Sequence, residues 1–186
     1  MTRLPPRPLR LLTFACALVA LTAASFAVGG ADARSTTSQS VSADNALEAA
    51  ILVELNVVRR GKSLRPLRIS KPLAAAADAH SLAMARFGFF AHDSRDGSSF
   101  GKRLRRFYTP RGYATWSGGE NLLYATPGLD ARKAVAMWMQ SPMHRKNILH
   151  PAWREIGLSA VAAGAAPGVF GGRDVVLVTT VFGTRT

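Results

Sequence analysis

EIGLSAVAAGAAPGVFGGRDVVLVTTVFG, residues 155–183, is the stretch that decides the fold. It holds two runs, EIGLSAVAA and DVVLVTTVFG, in which small and β-branched apolar residues predominate, as is typical of strands. The segment between them is rich in glycine and proline and predicts a loop. Two strands are too few to close a barrel, so they predict a small sheet that buries its faces against other elements.

Helical patterns occupy most of the chain before these strands. A helix over roughly 45–60, capped by Asp44 and ended by Gly61, is predicted because apolar residues recur at helical spacing: Leu47, Ile51, Leu55 and Val58. Further predicted helices are PLAAAADAHSLAMARFG from Pro72, FGKRLRRFY from Phe100, ARKAVAMWMQ after Asp130 and a short helix after Ser141-Pro142. Residues 109–119 predict a loop and 120–125 a short extended piece. The fold class is therefore α+β, with helices packed on a small antiparallel sheet.

The first 33 residues have the features of a secretory signal peptide. A basic segment precedes the apolar run LLTFACALVALTAASFAV, and Ala31-Asp32-Ala33 then provides small residues at the positions that signal peptidase reads. We expect a signal peptide over 1–33, a flexible leader over 34–43 and one domain over 44–186, hence a secreted or cell-envelope protein. An uncleaved N-terminal anchor is the alternative. Cleavage would remove Cys16, the only cysteine, so the domain would contain no disulfide.

The chain is strongly basic, with a formal net charge of +13. Outside the membrane, this charge favours an anionic envelope polymer or lipid head groups as partners, and no nucleic acid is expected. Membrane contact is expected only through the signal segment or the surface charge, and the protein is expected to be a monomer. A solvated basic surface without a specific partner is the alternative.

Three short stretches carry ionisable residues at the ends of predicted elements, where functional groups tend to lie. They are His92-Asp93-Ser94, Gly119-Glu120-Asn121 and Ser141-Pro142-Met143-His144-Arg145. Two imidazoles and one carboxylate could meet in a cleft, and such a set is found in catalytic zinc sites. There is no HExxH helix and no G-x-S-x-G turn, so the common zinc-protease and serine-hydrolase signatures are missing.

Together these stretches resemble the CAP superfamily, the secreted proteins that include cysteine-rich secretory proteins, insect venom antigens and plant pathogenesis-related proteins. The likeness is strongest to the bacterial SCP-like branch and runs from about Leu47 to Gly183. Its ordered pieces are Leu55-Asn56, Phe90-Ala91-His92-Asp93-Ser94, Gly119-Glu120-Asn121-Leu122, Trp138, SPMHRKNIL at 141–149, and Ile156-Gly157.

The resemblance implies an α-β-α sandwich with a central cleft, where two histidines and two glutamates can hold a divalent cation such as zinc. His92 matches the first histidine, Glu120 the first glutamate and His144 the second histidine. Ser141 stands where many relatives carry the second glutamate, and the disulfides of the eukaryotic members are also missing. The implied metal set is thus reduced to His92, Glu120 and His144.

The residues themselves suggest roles that stand beside this resemblance. Ser141 can N-cap a helix that begins at Pro142, which places His144 in the first turn, where the helix dipole and Arg145 disfavour a charged imidazole. A neutral imidazole suits metal ligation or a base role, and the alternative is a histidine that only hydrogen-bonds across the cleft. Structural support is expected from five residues: Ser94 in a local turn, Asn121, Ser141, Arg145 and Asn147.

Two further alternatives stay open at this point. Glu120 could ligate a metal, orient a histidine, or form an ion pair with one of the many arginines. The basic KRLRRF segment is most simply a solvated helix face, with an anionic-ligand patch as the sharper interpretation. The leading functional hypothesis is a secreted binding protein with a ligand cleft lined by His92, Glu120 and His144. The alternative is a metal-assisted hydrolase that uses the same three residues in catalysis.

Overall fold

The structure is a computed structural model that describes residues 39–186. Within this range the helices are α1 (Asn45–Arg60), α2 (Lys71–Phe87), α3 (Phe100–Phe107), α4 (Ala131–Gln140) and α5 (Pro142–Ile148). The strands are β1 (Ser40–Ala43), β2 (Arg68–Ile69), β3 (Trp116–Ala125), β4 (Glu155–Ala166) and β5 (Arg173–Arg185). The predicted signal peptide lies outside the described residues. None of the helices between residues 39 and 186 is both long enough and apolar enough to cross a bilayer.

The sheet is built around the two strands that the sequence predicts. Its order is β1-β4-β5-β3, and each of these pairs is antiparallel, while the short β2 pairs parallel to β4. β4 and β5 are joined by a tight connection with a single 3₁₀ turn at Gly168–Phe170. The prediction of an α+β fold with a mainly antiparallel sheet is therefore confirmed.

Helices cover both faces of the sheet, which makes the fold a three-layer α-β-α sandwich. Even-numbered β5 residues, Val176, Val178 and Phe182, pack in one cluster with residues of α1, α4 and α5. Odd-numbered residues, Val175, Leu177 and Val181, pack on the other side against α2 and α3. Because both faces are buried, the two central strands β4 and β5 appear in the sequence as nearly continuous apolar runs.

The outer edge of β4 is closed along its length. β1 pairs with residues 161–164 and β2 with residues 155–156. Between them, the backbone N–H of Asp44 donates to the carbonyl of Ala160 at 2.8 Å, and the backbone N–H of Ala160 donates to the Glu48 carboxylate at 2.9 Å. The edge backbone groups of β4 are thus largely satisfied within the domain.

Two expectations about irregular segments need correction. Residues 40–43 of the expected flexible leader form β1, because the long β4 offers an edge whose backbone groups accept a partner strand whatever its side chains are. Residues 34–38 of that leader lie outside the described range. Likewise, residues 116–119 belong to β3 rather than to a loop, since they pair with residues 182–185 at the end of β5.

α2 lies unusually close to β4, and Gly157 makes this approach possible. A Cβ atom on Gly157 would lie 2.0 Å from the backbone carbonyl carbon of Leu73 and 2.2 Å from the backbone nitrogen of Ala74. Those atoms belong to the first turn of α2, so the clash could be relieved only by moving the helix. A glycine inside a strand often marks such a close backbone contact.

We predict that Gly157→Ala lowers the free energy of unfolding by about 3 kcal/mol, the range expected for overpacking a tight core. The matched control is Gly101→Ala in α3, where a Cβ would meet no atom within 4 Å. Since alanine favours a helix over glycine, that variant should be neutral or stabilised by up to about 1 kcal/mol. Urea unfolding checks both, and equal midpoints for Gly157→Ala and the parent chain would contradict the described packing.

Candidate functional site

One cleft of about 290 Å³ brings together all three residues that the sequence analysis proposed for a site. His92 comes from the loop between α2 and α3, Glu120 from β3 and His144 from α5. The other lining residues are Asn121, Met143, Lys146, Asn147 and His150. The cleft is therefore formed where the first turn of α5 faces the middle of an edge strand.

Glu120 lies at the base of this cleft with both carboxylate oxygens engaged. Its side chain is 1% exposed; Oε1 lies 2.8 Å from Nδ1 of His92, and Oε2 accepts a hydrogen bond of 2.6 Å from Nη2 of Arg103. Arg103 is itself buried. Of the alternatives that the sequence left open for Glu120, the geometry combines two, an ion pair with an arginine and the orientation of a histidine.

Arg103 also fixes the loop that carries His92. Its Nη1 donates to the backbone carbonyl of His92 at 2.8 Å and to Oγ of Ser94 at 3.0 Å. The same loop is tightened by a bond of 2.9 Å from the Ser94 N–H to the Ser98 carbonyl. One guanidinium therefore ties α3, β3 and the histidine loop together, and Ser94 takes part in both the turn and this tie.

The Glu120 contact raises the pKa of His92, and partial burial opposes this only in part. The protonated imidazole is favoured because its Nδ1–H can donate to the carboxylate. Nε2, the second ring nitrogen, has no hydrogen-bond partner among residues 39–186, and the side chain is 54% exposed. Nε2 of His92 is thus open to an incoming ligand, while Nδ1 is held by the Glu120 carboxylate.

His144 differs from His92 in its electrostatics. Burial, followed by the positive charge of His92, lowers the pKa of His144. The sequence also predicts a neutral imidazole at His144, but for a different reason: the positive end of the α5 dipole and the neighbouring Arg145 both disfavour a charged ring. In the part of the chain that the structure describes, the His144 ring forms no hydrogen bond, so the cleft holds one imidazole biased toward the cation and one biased toward the neutral form.

Asparagine side chains hold α5 against β3. Nδ2 of Asn121 donates to the backbone carbonyl of His144 at 3.2 Å, and Nδ2 of Asn147 donates to Oδ1 of Asn121 at 3.0 Å. The indole N–H of Trp153 lies 2.9 Å from the Asn147 carbonyl oxygen. This network, and not a side-chain cap, sets the height of His144 over the cleft.

Two of the residues expected to give structural support do not act as foreseen. Ser141 occupies the N-cap position of α5, but its hydroxyl forms no capping hydrogen bond. Pro142 is the first residue of α5, where its lack of a backbone N–H costs no intrahelical hydrogen bond. Arg145 is exposed, and between residues 39 and 186 its side chain takes part in no hydrogen bond or ion pair.

Sequence reasoning missed the role of one group that shapes the cleft. Arg103 was grouped with the solvated cations of KRLRRF, although its place beside Leu104 on the apolar stripe could have indicated burial. His80, a histidine on the apolar stripe of α2 that the sequence predicts to lie in the core or the pocket wall, is buried, and its Nε2 lies 2.8 Å from the Ala91 carbonyl oxygen just before His92. Arg59, fully buried, donates to backbone carbonyls at and after the end of α5, including those of Ile148 and His150.

The donor set does not fit the divalent cation that the family resemblance implies. Both oxygens of Glu120 are engaged, one of them by a guanidinium whose positive charge would repel a second cation at the same carboxylate. Over residues 39–186, no three His, Cys, Asp or Glu side chains are placed so that they could hold a metal ion together. Ser141 does not line the cleft, so it offers no replacement ligand.

We predict that Arg103→Met destabilises the domain by about 3–5 kcal/mol, because it leaves the buried Glu120 carboxylate without its cation. The control is Arg106→Met on the same helix, where the side chain is 56% exposed and lies 3.9 Å from an equally exposed Asp96. That variant should change stability by about 0.5 kcal/mol or less. Glu120→Gln combined with Arg103→Met should recover part of the loss, and strictly additive losses would contradict the pairing.

Comparison with known proteins places this site in a family. The sequence matches the family model for CAP, the cysteine-rich secretory protein family, over residues 52–178. The uncharacterized protein YkwD of Bacillus subtilis (strain 168) is 32% identical over 142 residues, which are 76% of this chain and 53% of that protein. The uncharacterized membrane protein YlbC of the same organism is 32% identical over 60% of this chain and 30% of its own length. This chain thus spans about half or less of the length of these curated relatives.

Solved structures agree with the architecture. An extracellular protein containing an SCP domain from Bacillus anthracis superposes with a TM-score of 0.57 at 27% identity, over 75% of this chain and 40% of that one. An outer surface protein from Borrelia burgdorferi has a TM-score of 0.58 at 17% identity, over 73% of this chain and 90% of that one, which supports the fold alone. With a family match over more than half of its length, the chain belongs to the CAP family and has the SCP-like fold.

Proposed function

We propose that this protein is an exported binding module of the bacterial cell envelope, whose cleft binds a carboxylate or phosphate group of an envelope ligand. The proposal of export rests on the signal-like N-terminal sequence and on the solved relative from Bacillus anthracis, which is described as extracellular. The proposal of an anionic ligand rests on the charges of the cleft. Binding a metal ion through His92, Glu120 and His144 is not part of this proposal, because the donor set does not fit.

The observation that carries the proposal is the enclosure of Glu120 between His92 and Arg103. This arrangement neutralises the only acidic residue that lines the cleft and buries it away from an incoming ligand. The remaining ionisable lining residues are His92, His144, Lys146 and His150, all of them basic or neutral. An anionic group would thus meet the His92 imidazolium and the Lys146 ammonium, and the one exposed carboxylate beside His92, that of Asp93, does not line the cleft.

An anion should bind the cleft more tightly at low pH than at high pH. The pKa of His92 is raised, so its positive charge is present at low pH and is lost as the pH rises through that value. A bound anion would stabilise the imidazolium further and would therefore bind more tightly at the lower pH. The neutral His144, with its lowered pKa, can add one hydrogen bond to the anion without the cost of a second charge.

We predict that glucuronate, whose carboxylate stays ionised over this range, binds the full domain more tightly at pH 5.5 than at pH 8.5, by about tenfold, one charge-assisted hydrogen bond being worth about 1.5–3 kcal/mol. NMR titration of the histidine ring resonances measures this. His92→Gln should remove the pH dependence and Lys146→Gln should weaken binding at both values. The control Lys62→Gln, in the exposed turn after α1, should leave both affinities unchanged. Affinity that is flat or rises with pH in the parent protein would refute an anion site at His92.

A hydrolase is the second candidate, because one specific observation favours acid–base chemistry. Two imidazoles share a cleft, and their surroundings shift their pKa values in opposite directions. Such a pair can supply a general acid in His92 and a general base in His144. No serine lines this cleft, so the base would have to activate a water molecule. The metal-assisted form of this alternative would need ligands that the described donor set does not provide.

For a hydrolase, we expect kcat/KM to show a bell-shaped pH profile on a panel of chromogenic esters, glycosides and peptides. His92→Ala should lose the dependence on the acid group at high pH, and His144→Ala should lose the dependence on the base at low pH. Removal of either group should lower the rate by about a hundredfold or more. The binding module predicts instead that no member of the panel is turned over above the buffer rate. Turnover that survives in both variants would show that the two histidines are not catalytic.

A further inference from the structure

A second basic surface lies on the outer side of α3, away from the cleft residues. It is a shallow groove of about 370 Å³ lined by Ser99, Gly101, Lys102, Arg105 and Trp116, which we call the α3 groove. It shares no lining residue with the His92–His144 cleft. α3 therefore directs Arg103 inward to Glu120 and directs Lys102 and Arg105 into a separate depression.

Neither cation of the α3 groove forms an ion pair within residues 39–186. No carboxylate among the described residues lies within ion-pair distance of Lys102 or Arg105, whereas Arg103 pairs with Glu120 and Arg106 lies 3.9 Å from Asp96. Two adjacent cations without acidic partners raise the local concentration of anions. A fully solvated basic face would carry such cations without side-chain neighbours, but here one of them contacts an aromatic ring.

Arg105 lies over an aromatic ring. Its guanidinium carbon lies 5.3 Å from the centre of the Trp116 ring. Trp116 is half-buried and its indole N–H donates to the Tyr108 carbonyl at 2.7 Å, so the ring position is fixed by β3 and α3 together. Gly101 leaves the space in front of the ring open, since a Cβ atom there would meet nothing within 4 Å.

We propose that the α3 groove docks a strand of an acidic polysaccharide. A sugar ring would lie over Gly101 and the exposed part of Trp116, and a carboxylate or phosphate on that sugar would lie between Lys102 and Arg105. The combination of a fixed aromatic ring with two unpaired cations suits a ligand that is both ring-shaped and negatively charged. This site is additional to the proposed cleft and does not depend on it.

The residues of the α3 groove favour an acidic polysaccharide over two other ligands, a membrane surface and single-stranded nucleic acid. A membrane surface would call for projecting apolar side chains, and none of the groove residues is among the exposed large apolar residues of the described chain. Single-stranded nucleic acid would call for several aromatic rings on which successive bases stack, and the groove has one. A single ring flanked by two cations matches one charged sugar unit.

The test compares alginate oligosaccharides, which carry a carboxylate on each ring, with neutral dextran oligosaccharides of equal length, by calorimetry over a salt series. Lys102→Gln/Arg105→Gln is compared with Arg132→Gln/Lys133→Gln, which removes the same charge from exposed positions in the first turn of α4. We expect alginate to bind and dextran not to bind. The groove variant should lose about tenfold or more in affinity with a shallower salt dependence, and the control about twofold or less.

Several outcomes would overturn the proposal. Equal losses in the two double variants would mean attraction by net charge alone. Retention on phosphatidylglycerol vesicles that needs Lys102 and Arg105, with no alginate binding, would assign the groove to a lipid surface, and tighter binding of oligothymidylate than of alginate would assign it to nucleic acid. The comparison is repeated in a His92→Gln background, where the groove variant should still lose affinity for alginate; if His92→Gln alone abolishes alginate binding, the polymer occupies the cleft and not the α3 groove.

Discussion

The buried ion pair between Arg103 and Glu120 is the constraint on which the site depends. A carboxylate that is 1% exposed is tolerated only if charge and hydrogen bonds compensate for its lost hydration. Arg103 provides both, and its remaining N–H groups reach the backbone of His92 and the hydroxyl of Ser94. The histidine loop, α3 and β3 are therefore held in one arrangement by a single charged contact, so the position of His92 follows from the need to neutralise Glu120.

The same pair decides which chemistry the cleft favours. A glutamate that faces a histidine and an arginine orients the histidine and is not an open ligand for a metal ion, and this is the observation that supports the proposed anion site. Ser141 fits this picture, because it stands at the position of the second family glutamate and brings no charge. By the family resemblance, the cleft thus retains both histidines, His92 and His144, but only one of the two glutamates, Glu120, which is neutralised by its contacts.

Local pattern was enough to predict much of the fold. Apolar spacing and the capping aspartates marked α1 and α4 closely: the side chains of Asp44 and Asp130 accept from Leu47 N–H and Lys133 N–H as such caps should. The convergence of His92, Glu120 and His144 was anticipated from the family resemblance. Local pattern could not predict contacts between residues that lie far apart in the sequence. β1 exists because β4 has a free edge, Arg103 is buried because Glu120 needs a cation, and α5 is held by Asn121 and Asn147 and not by a Ser141 cap.

The closed edge of β4 has a consequence for the protein as a solute. Exposed strand edges are the usual starting points for intermolecular sheet growth and amyloid-like aggregation. β1, Asp44, Glu48 and β2 together occupy the backbone groups along that side of β4, which leaves no continuous ladder on this long strand for a second copy to extend. Residues 40–43, which carry no feature of a binding or catalytic site, thus replace part of a long strand edge by the four-residue edge of β1, while β3 forms the edge on the other side of the sheet.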